Sequence, residues 1–284
     1  MLKRDRGNFA YRSGAECSQA TQDLEKNGYT ILRGTFDNTE VKALATEINQ
    51  VFEDRPRSNR AGAARSKADD ECFRYEVLNY SPLSQQALAN PSILETIEPL
   101  LGEDCHVIAN TAWSNPPNDT SSHGGQAWHI DAGPHIPLAE GTVWPADIPH
   151  PVFAIGTHIY LKDCELQDGP TGVLPGSHLS GLFPPRERAF DDSLTYKEQG
   201  VVPLLANAGD VGLFVSDIWH RRMPTMEGDR GRFFLQVHYG RRDIAQRIKT
   251  TAATNHLTEQ TINRAITLRE KTLIGLHKPF FYDG

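Results

Sequence analysis

Phe153-Ala-Ile-Gly-Thr-His-Ile-Tyr-Leu-Lys162 is a ten-residue run dominated by β-branched, aromatic and aliphatic side chains, with no proline to interrupt it. Such a run fits a pleated, well-buried strand. Segments of the same texture recur at 106–113, 126–131, 171–174, 200–204, 211–216 and 232–239, each short and rich in Val, Ile, Phe and Tyr. Pro and Gly clusters separate them, the pattern expected of an all-β sandwich or barrel. The fold class predicted is therefore mainly β with flanking helices. Between two of these segments lies the long Pro-rich stretch 132–152. Long ordered loops in compact domains commonly carry function.

Upstream of the strands the pattern is helical. Residues 16–27 read as a short helix closed by Gly28, and Tyr29-Thr-Ile-Leu-Arg33 as a strand. Asp37 or Asn38 can cap a second helix, because Val41, Leu44, Ile48 and Val51 fall on one face. A third helical stretch covers about 82–101 and ends near Gly102, and 257–273 reads as a C-terminal helix. There is no repeat and no low-complexity linker, so residues 1–284 read as one domain. Its parts are a helical section at about 15–104, a β core at about 105–240 and the terminal helix.

Composition narrows the function classes. The chain has 284 residues, is 38% hydrophobic and 23% charged, and carries a net charge of -7. An acidic balance argues against nucleic acid, whose phosphates need a basic surface. No stretch approaches the ~20 apolar residues of a membrane span. The four cysteines, Cys17, Cys72, Cys105 and Cys164, form no CxxC pair, which favours reduced thiols over a disulfide framework or a zinc ribbon. A cytoplasmic protein acting on a small molecule is the expectation, without nucleic-acid or membrane partners.

The chemistry concentrates in Gln126-Ala-Trp-His-Ile-Asp131. Residues two apart on a strand point to the same face, so His129 and Asp131 can converge on one ion. The best third ligand is His220, at the end of Gly209-Asp-Val-Gly-Leu-Phe-Val-Ser-Asp-Ile-Trp-His220. Two imidazoles and one carboxylate leave three coordination positions open, an arrangement suited to non-haem Fe(II) oxygenases, and the absence of thiolate disfavours structural zinc. Twelve residues after His220, Arg232 opens the apolar strand Arg232-Phe-Phe-Leu-Gln-Val-His-Tyr239. A buried arginine is costly without an anionic partner, and its planar fork matches a carboxylate.

These ordered features resemble the phytanoyl-CoA dioxygenase-like branch of the Fe(II)/2-oxoglutarate oxygenases. The resemblance covers roughly 20–240 and rests on Trp128-His129-x-Asp131, Asp168-Gly-Pro-Thr-Gly-Val-Leu-Pro-Gly-Ser-His178, Gly209-Asp210, His220 and Arg232. It implies a double-stranded β-helix, or jelly-roll, core. It implies His129, Asp131 and His220 as catalytic metal ligands, and Arg232, rather than its neighbour Arg230, as the clamp on the distal carboxylate of 2-oxoglutarate. Thr171 and Gln126 are further cosubstrate contacts on the same basis. The cofactors implied are Fe(II), 2-oxoglutarate as cosubstrate and O2, with succinate and CO2 released as a substrate C–H bond is oxidised. Hydroxylation is the default outcome, and a tailoring step in secondary metabolism is the family-level expectation. An intact Asp131 argues against halogenation, because related halogenases have a small residue there.

Two other readings use the same residues. One is a cupin-like hydrolase or isomerase holding Zn or Mn at His129, Asp131 and His220; Arg232 separates it, since such an enzyme needs no dicarboxylate clamp. The other is a non-catalytic β-sandwich that binds a ligand. His178 is expected to fix a turn, and the basic run Arg55-Pro-Arg-Ser-Asn-Arg60, continuing to Arg65 and Lys67, to be a solvated loop with a lid as the sharper alternative.

Overall fold

A computed structural model describes residues 17–57, 71–117, 125–131, 133–244 and 257–277. Most of the basic run after Arg57 lies outside these residues. The chain opens with α1 (Gln19–Asn27), β1 (Tyr29–Leu32) and α2 (Asn38–Asp54). The second helix starts where Asp37 and Glu40 form a reciprocal capping box, each side chain accepting from the other residue's backbone N–H. Its buried residues are Val41, Leu44, Ile48 and Val51, the four picked out by helical spacing. Then follow β2 (Phe73–Tyr75), α3 (Pro82–Ala87) and α4 (Pro91–Leu101). The helical stretch expected over 82–101 is thus two helices. Asn90 caps the second by accepting from the Ser92 N–H, and Pro91 occupies its first turn.

The β core consists of β3 (His106–Asn115), β4 (Ala154–Tyr160), β5 (Thr171–Val173), β6 (Val202–Pro203), β7 (Val211–Val215), β8 (His220–Arg222) and β9 (Arg232–Gly240). A six-stranded antiparallel sheet has the order β1-β7-β4-β9-β3-β2, and a three-stranded sheet the order β6-β5-β8. The segment expected as a strand over 126–131 contributes only an isolated bridge, His129 to His220. The C-terminal stretch forms two short helices, α5 (Glu259–Arg264) and α6 (Leu268–Leu273), in place of one.

Strand alternation gives the large sheet two different faces. Ala112, Ile155, Ile159, Val211, Leu213, Val215, Leu235, Val237 and Tyr239 form one continuous apolar cluster with α2, α3 and α4, through residues such as Ile48, Leu88, Ile93 and Ile97. Fully burying each such side chain contributes about 1.5–3 kcal/mol, so this face holds the fold together. The opposite face carries Thr111, Trp113, His158, Arg232, Phe234, Gln236 and His238, and looks across a cavity of about 260 Å³ at Thr171, His220 and Arg222 of the small sheet. Two sheets enclosing a polar interior make the double-stranded β-helix expected. Among the described residues no helix is long and apolar enough to cross a membrane.

Candidate active site

His129 and His220 sit opposite one another as a reciprocal pair: each backbone N–H donates to the other's carbonyl at 3.0 Å. This sets the two imidazoles side by side, with ring centroids 4.3 Å apart. The Nδ1–H of His129 donates to the Ala127 carbonyl (2.8 Å), and the Nδ1–H of His220 to that of Ile218 (2.9 Å). A carbonyl can only accept, so both rings carry a proton on Nδ1 and turn Nε2 toward Asp131. Asp131 is tied by its own N–H to the Ser216 carbonyl (3.1 Å), and its Oδ1 lies 3.9 Å from His129 Nε2 and 3.5 Å from His220 Nε2. One ligand atom from each residue lies within 4.8 Å of the others, a spacing that can hold a metal ion.

The donor set fits a ferrous ion. Two imidazoles and a carboxylate converge, both histidines are oriented through their far nitrogen, and Asp131 Oδ2 is buried without a hydrogen-bond partner among the described residues. Burial by itself pushes the Asp131 pKa up, but the His220, His238 and His129 imidazoles outweigh it and hold the carboxylate well below its usual range. Burial and the His220 ring lower His129, so that ring is held neutral, as a ligand must be.

The loop after Asp131 is pinned from the other side. Asp217 Oδ1 accepts from the His135 N–H and Oδ2 from the His135 Nδ1–H, both at 2.7 Å. Gly133, at φ 114°, lies against Asp217 Oδ1 where any side chain would collide.

Arg232 begins β9 and is 4% exposed. Its Nε and Nη2 donate to Asn115 Oδ1 (3.2 and 3.0 Å), and Asn115 is its register partner on β3. Burial and then Arg222 push its pKa down to about 10, which leaves it cationic at neutral pH. Arg230, two residues earlier, turns away: its Nη2 donates to Asp168 Oδ2 at 2.7 Å and reaches Glu165 at 3.4 Å. Thr171 and Gln126 both line the cavity; Gln126 does so although its segment is not a continuous strand. His178 is buried in a short 3-10 turn and bonds through Nε2 to the Glu25 carbonyl (3.0 Å), outside the cavity lining.

Several lining residues were not singled out from sequence: Tyr75, Thr111, Arg222, Gln236 and His238. Alternation could have found two groups of them. Arg222 follows His220 by two on β8, and Phe234, Gln236 and His238 follow Arg232 by twos on β9.

Comparison with known proteins gives a consistent picture. The ectoine dioxygenase of Bordetella bronchiseptica is 25% identical over 221 residues, covering 72% of this chain. The chain spans 65% of the length of that relative, and the same figures hold for the Bordetella parapertussis protein. Among solved structures, EctD from S. alaskensis with 2-oxoglutarate and 5-hydroxyectoine superposes with a TM-score of 0.63 at 18% identity, over 83% of this chain and 80% of that one. The 2-oxoglutarate-dependent carbocyclase SnoK from nogalamycin biosynthesis gives 0.59 at 18% identity, over 86% and 94%. These structures share the fold. A family model for phytanoyl-CoA dioxygenase matches residues 24–224, a span that includes His129, Asp131 and His220 and stops short of Arg232. With most of its length matched, the chain belongs to the phytanoyl-CoA dioxygenase family.

Proposed function

We propose that this chain is an Fe(II)- and 2-oxoglutarate-dependent dioxygenase that oxidises a small molecule. The observation that carries the reading is a single cavity with two chemically matched ends. His129, Asp131 and His220 gather at one end, and the buried guanidinium of Arg232 stands in the wall of the other.

In this reading His129 Nε2, His220 Nε2 and Asp131 Oδ1 would hold the iron at the edge of the cavity they line. The chemistry such a site supplies when loaded is O2-dependent decarboxylation of 2-oxoglutarate to succinate and CO2, coupled to oxidation of a substrate C–H bond. Arg232 binds the distal carboxylate of the cosubstrate, while Asn115 occupies the Nε–Nη2 edge and fixes the orientation of the fork. Thr171 and Gln126 contribute polar contacts from the facing wall. Phe214, Phe234 and Trp113 exclude water from the interior, with Phe214 lying 4.9 Å from the His220 ring and Trp113 stacked on Phe234 at 5.6 Å. A dry wall strengthens the charge pairing that holds a dianion.

Relatives named for ectoine oxidation and for nogalamycin biosynthesis support a small-molecule substrate and, on the same ground, a tailoring hydroxylation. A hydrolase or isomerase using the same three ligands has no use for the buried Arg232. The test is succinate formation by anaerobically iron-loaded protein given 2-oxoglutarate and then O2. Wild type should form succinate, and His129→Ala and Arg232→Ala should each reduce it by at least about a hundredfold. A wild-type protein that binds iron but neither binds nor consumes 2-oxoglutarate overturns the reading.

A further inference from the structure

The inner face of the large sheet is ordered in rows by its register. Arg232 pairs with Asn115, Phe234 with Trp113 and Tyr160, Gln236 with Thr111 and His158, and His238 with Ala109 and Gly156. The Arg232 row is the clamp end. His238 belongs to the opposite end, with its Nδ1 3.8 Å from Asp131 Oδ2. His158 lies between them. Its electrostatic neighbours come from both sides, Arg232 from one and His238, Asp131 and His220 from the other. A five-carbon dianion stretched from the guanidinium to the ligand triad must pass over this row.

His158 is an unusual residue to find there. It is 5% exposed, lines the cavity, and is enclosed by Phe234 (4.4 Å between ring centroids), Phe214 (5.1 Å) and Tyr160 (6.1 Å). Burial, followed by Arg232 and His238, depresses its pKa well below that of a free imidazole, so the ring is neutral. Its Nδ1 is sealed away with no hydrogen-bond partner among the described residues. An N–H left unpaired in such a place costs more than a bare lone pair, because it loses a strong donor interaction with water. The proton therefore sits on Nε2. The packing at this point does not demand a histidine: phenylalanine would suit the three aromatic neighbours and leave nothing unsatisfied. Gly156, the next residue inward on β4, leaves the space that Phe214 fills, since a Cβ there would meet that ring at 2.6 Å.

We propose that His158 is a cosubstrate-binding residue, donating a hydrogen bond from Nε2–H to a carboxylate oxygen of 2-oxoglutarate laid along the cavity between Arg232 and the metal-binding triad. The inference rests on the function proposed above and adds to it a neutral donor in the floor of the cavity. A neutral donor fits this position better than a third cation, because it binds the anion without repelling Arg232 and Arg222.

The test is calorimetric binding of 2-oxoglutarate to Ni(II)-loaded protein, in which no turnover intervenes. Thermal unfolding and Ni(II) affinity are measured on each variant to confirm that fold and metal site are intact. His158→Phe and His158→Leu should each weaken binding by about ten- to a hundredfold, the range for losing one hydrogen bond to a charged group. His158→Gln, which carries an amide N–H to a similar reach, should recover most of that loss. Ni(II) affinity should not change. Wild-type affinity in either apolar variant overturns the proposal, as does a Gln variant that binds as weakly as Phe, since the ring's packing would then be what matters. Arg232→Ala measured alongside separates the two levels. If it loses binding while His158→Phe does not, only this inference fails; if wild type itself does not bind 2-oxoglutarate, the functional reading fails first.

Discussion

The two ends of the cavity are built in opposite ways. Arg232 and Asn115 face each other on β9 and β3, inside a ladder that runs unbroken from Ala109 to Asn115. The clamp is thus positioned by many hydrogen bonds, none of them decisive. At the other end, His129 and Asp131 lie on a segment with almost no ladder of its own. It is held by the reciprocal pair with His220, by the Asp131 N–H bond to Ser216, and by Asp217 gripping His135. A regular sheet therefore tolerates loss of any one contact at the clamp, whereas the metal end depends on a few individual bonds. An open, loosely laddered segment also lets three ligand atoms from distant positions converge, which a flat ladder would not.

That contrast can be broken at its most exposed point, Asp217. Replacing it with Ala removes both anchors of the loop after Asp131 while leaving the His129, Asp131 and His220 side chains in place. Metal affinity should fall about tenfold or more in a chelator-competition titration, with 2-oxoglutarate affinity falling only as a consequence. Unchanged metal affinity would show that the metal end is as redundantly held as the clamp. At the clamp, Asn115→Ala should weaken 2-oxoglutarate binding by roughly five- to tenfold and leave metal affinity alone, because β9 keeps its ladder and only the orientation of the fork is released. A loss as large as that from Arg232→Ala would mean that Asn115 holds the strand itself.

Arg230→Ala sharpens the comparison from outside the cavity. Arg230 pairs with the fully buried Asp168 carboxylate, so its loss should cost about 1 kcal/mol of stability in calorimetric unfolding and leave 2-oxoglutarate affinity at the wild-type value. The smallest expected effect is on acid stability. Burial raises the Asp168 and Asp210 pKa values, but hydrogen bonds from Arg230 and the Glu165 and Arg230 N–H groups to the first, and from Gly34, Asn207 and Arg33 to the second, lower them further than burial raises them. A carboxyl whose native pKa is depressed stabilises the fold fully above its unfolded value of about 3.9, and that contribution is lost as pH falls through the native value. Wild type should therefore lose unfolding temperature below about pH 4, and Asp168→Asn should show a shallower decline over the same range. Equal slopes would remove Asp168 from the account.

The same contrast explains what could be read from the sequence. Long elements with one apolar face, such as α2 with Val41, Leu44, Ile48 and Val51, were legible because a single period runs through the whole element. The longer β-strands of the large sheet, such as β3, β4 and β9, were legible as apolar runs. Phe73–Tyr75 and His220–Arg222 were not, because three residues centred on an arginine carry no period and their pairing is decided by distant partners. The split of 82–101 was written in Asn90 and Pro91, a cap and a first-turn proline outweighed in the reading by the apolar residues on both sides. His129, Asp131, His220 and Arg232 could be named as candidates from motif order and strand spacing. Arg222 and Gln236 stand at strand spacing from His220 and Arg232 and were within reach of the same reasoning. That His158 faces the cavity was not, because which face of its strand lines a cavity follows from register, and register is settled by strands far apart in the chain.

One consequence follows from the two-faced large sheet. On β9 the even-numbered residues Arg232, Phe234, Gln236 and His238 face the cavity, and the odd-numbered Leu235, Val237 and Tyr239 build the core against the helices. Parity along the strand thus separates two kinds of inheritance. Divergence at one parity can change what enters the cavity without touching the packing that makes the protein fold, and divergence at the other is constrained by volume and apolarity whatever the substrate. Relatives of low overall identity can in this way keep one scaffold while exchanging its contents, one alternate position at a time.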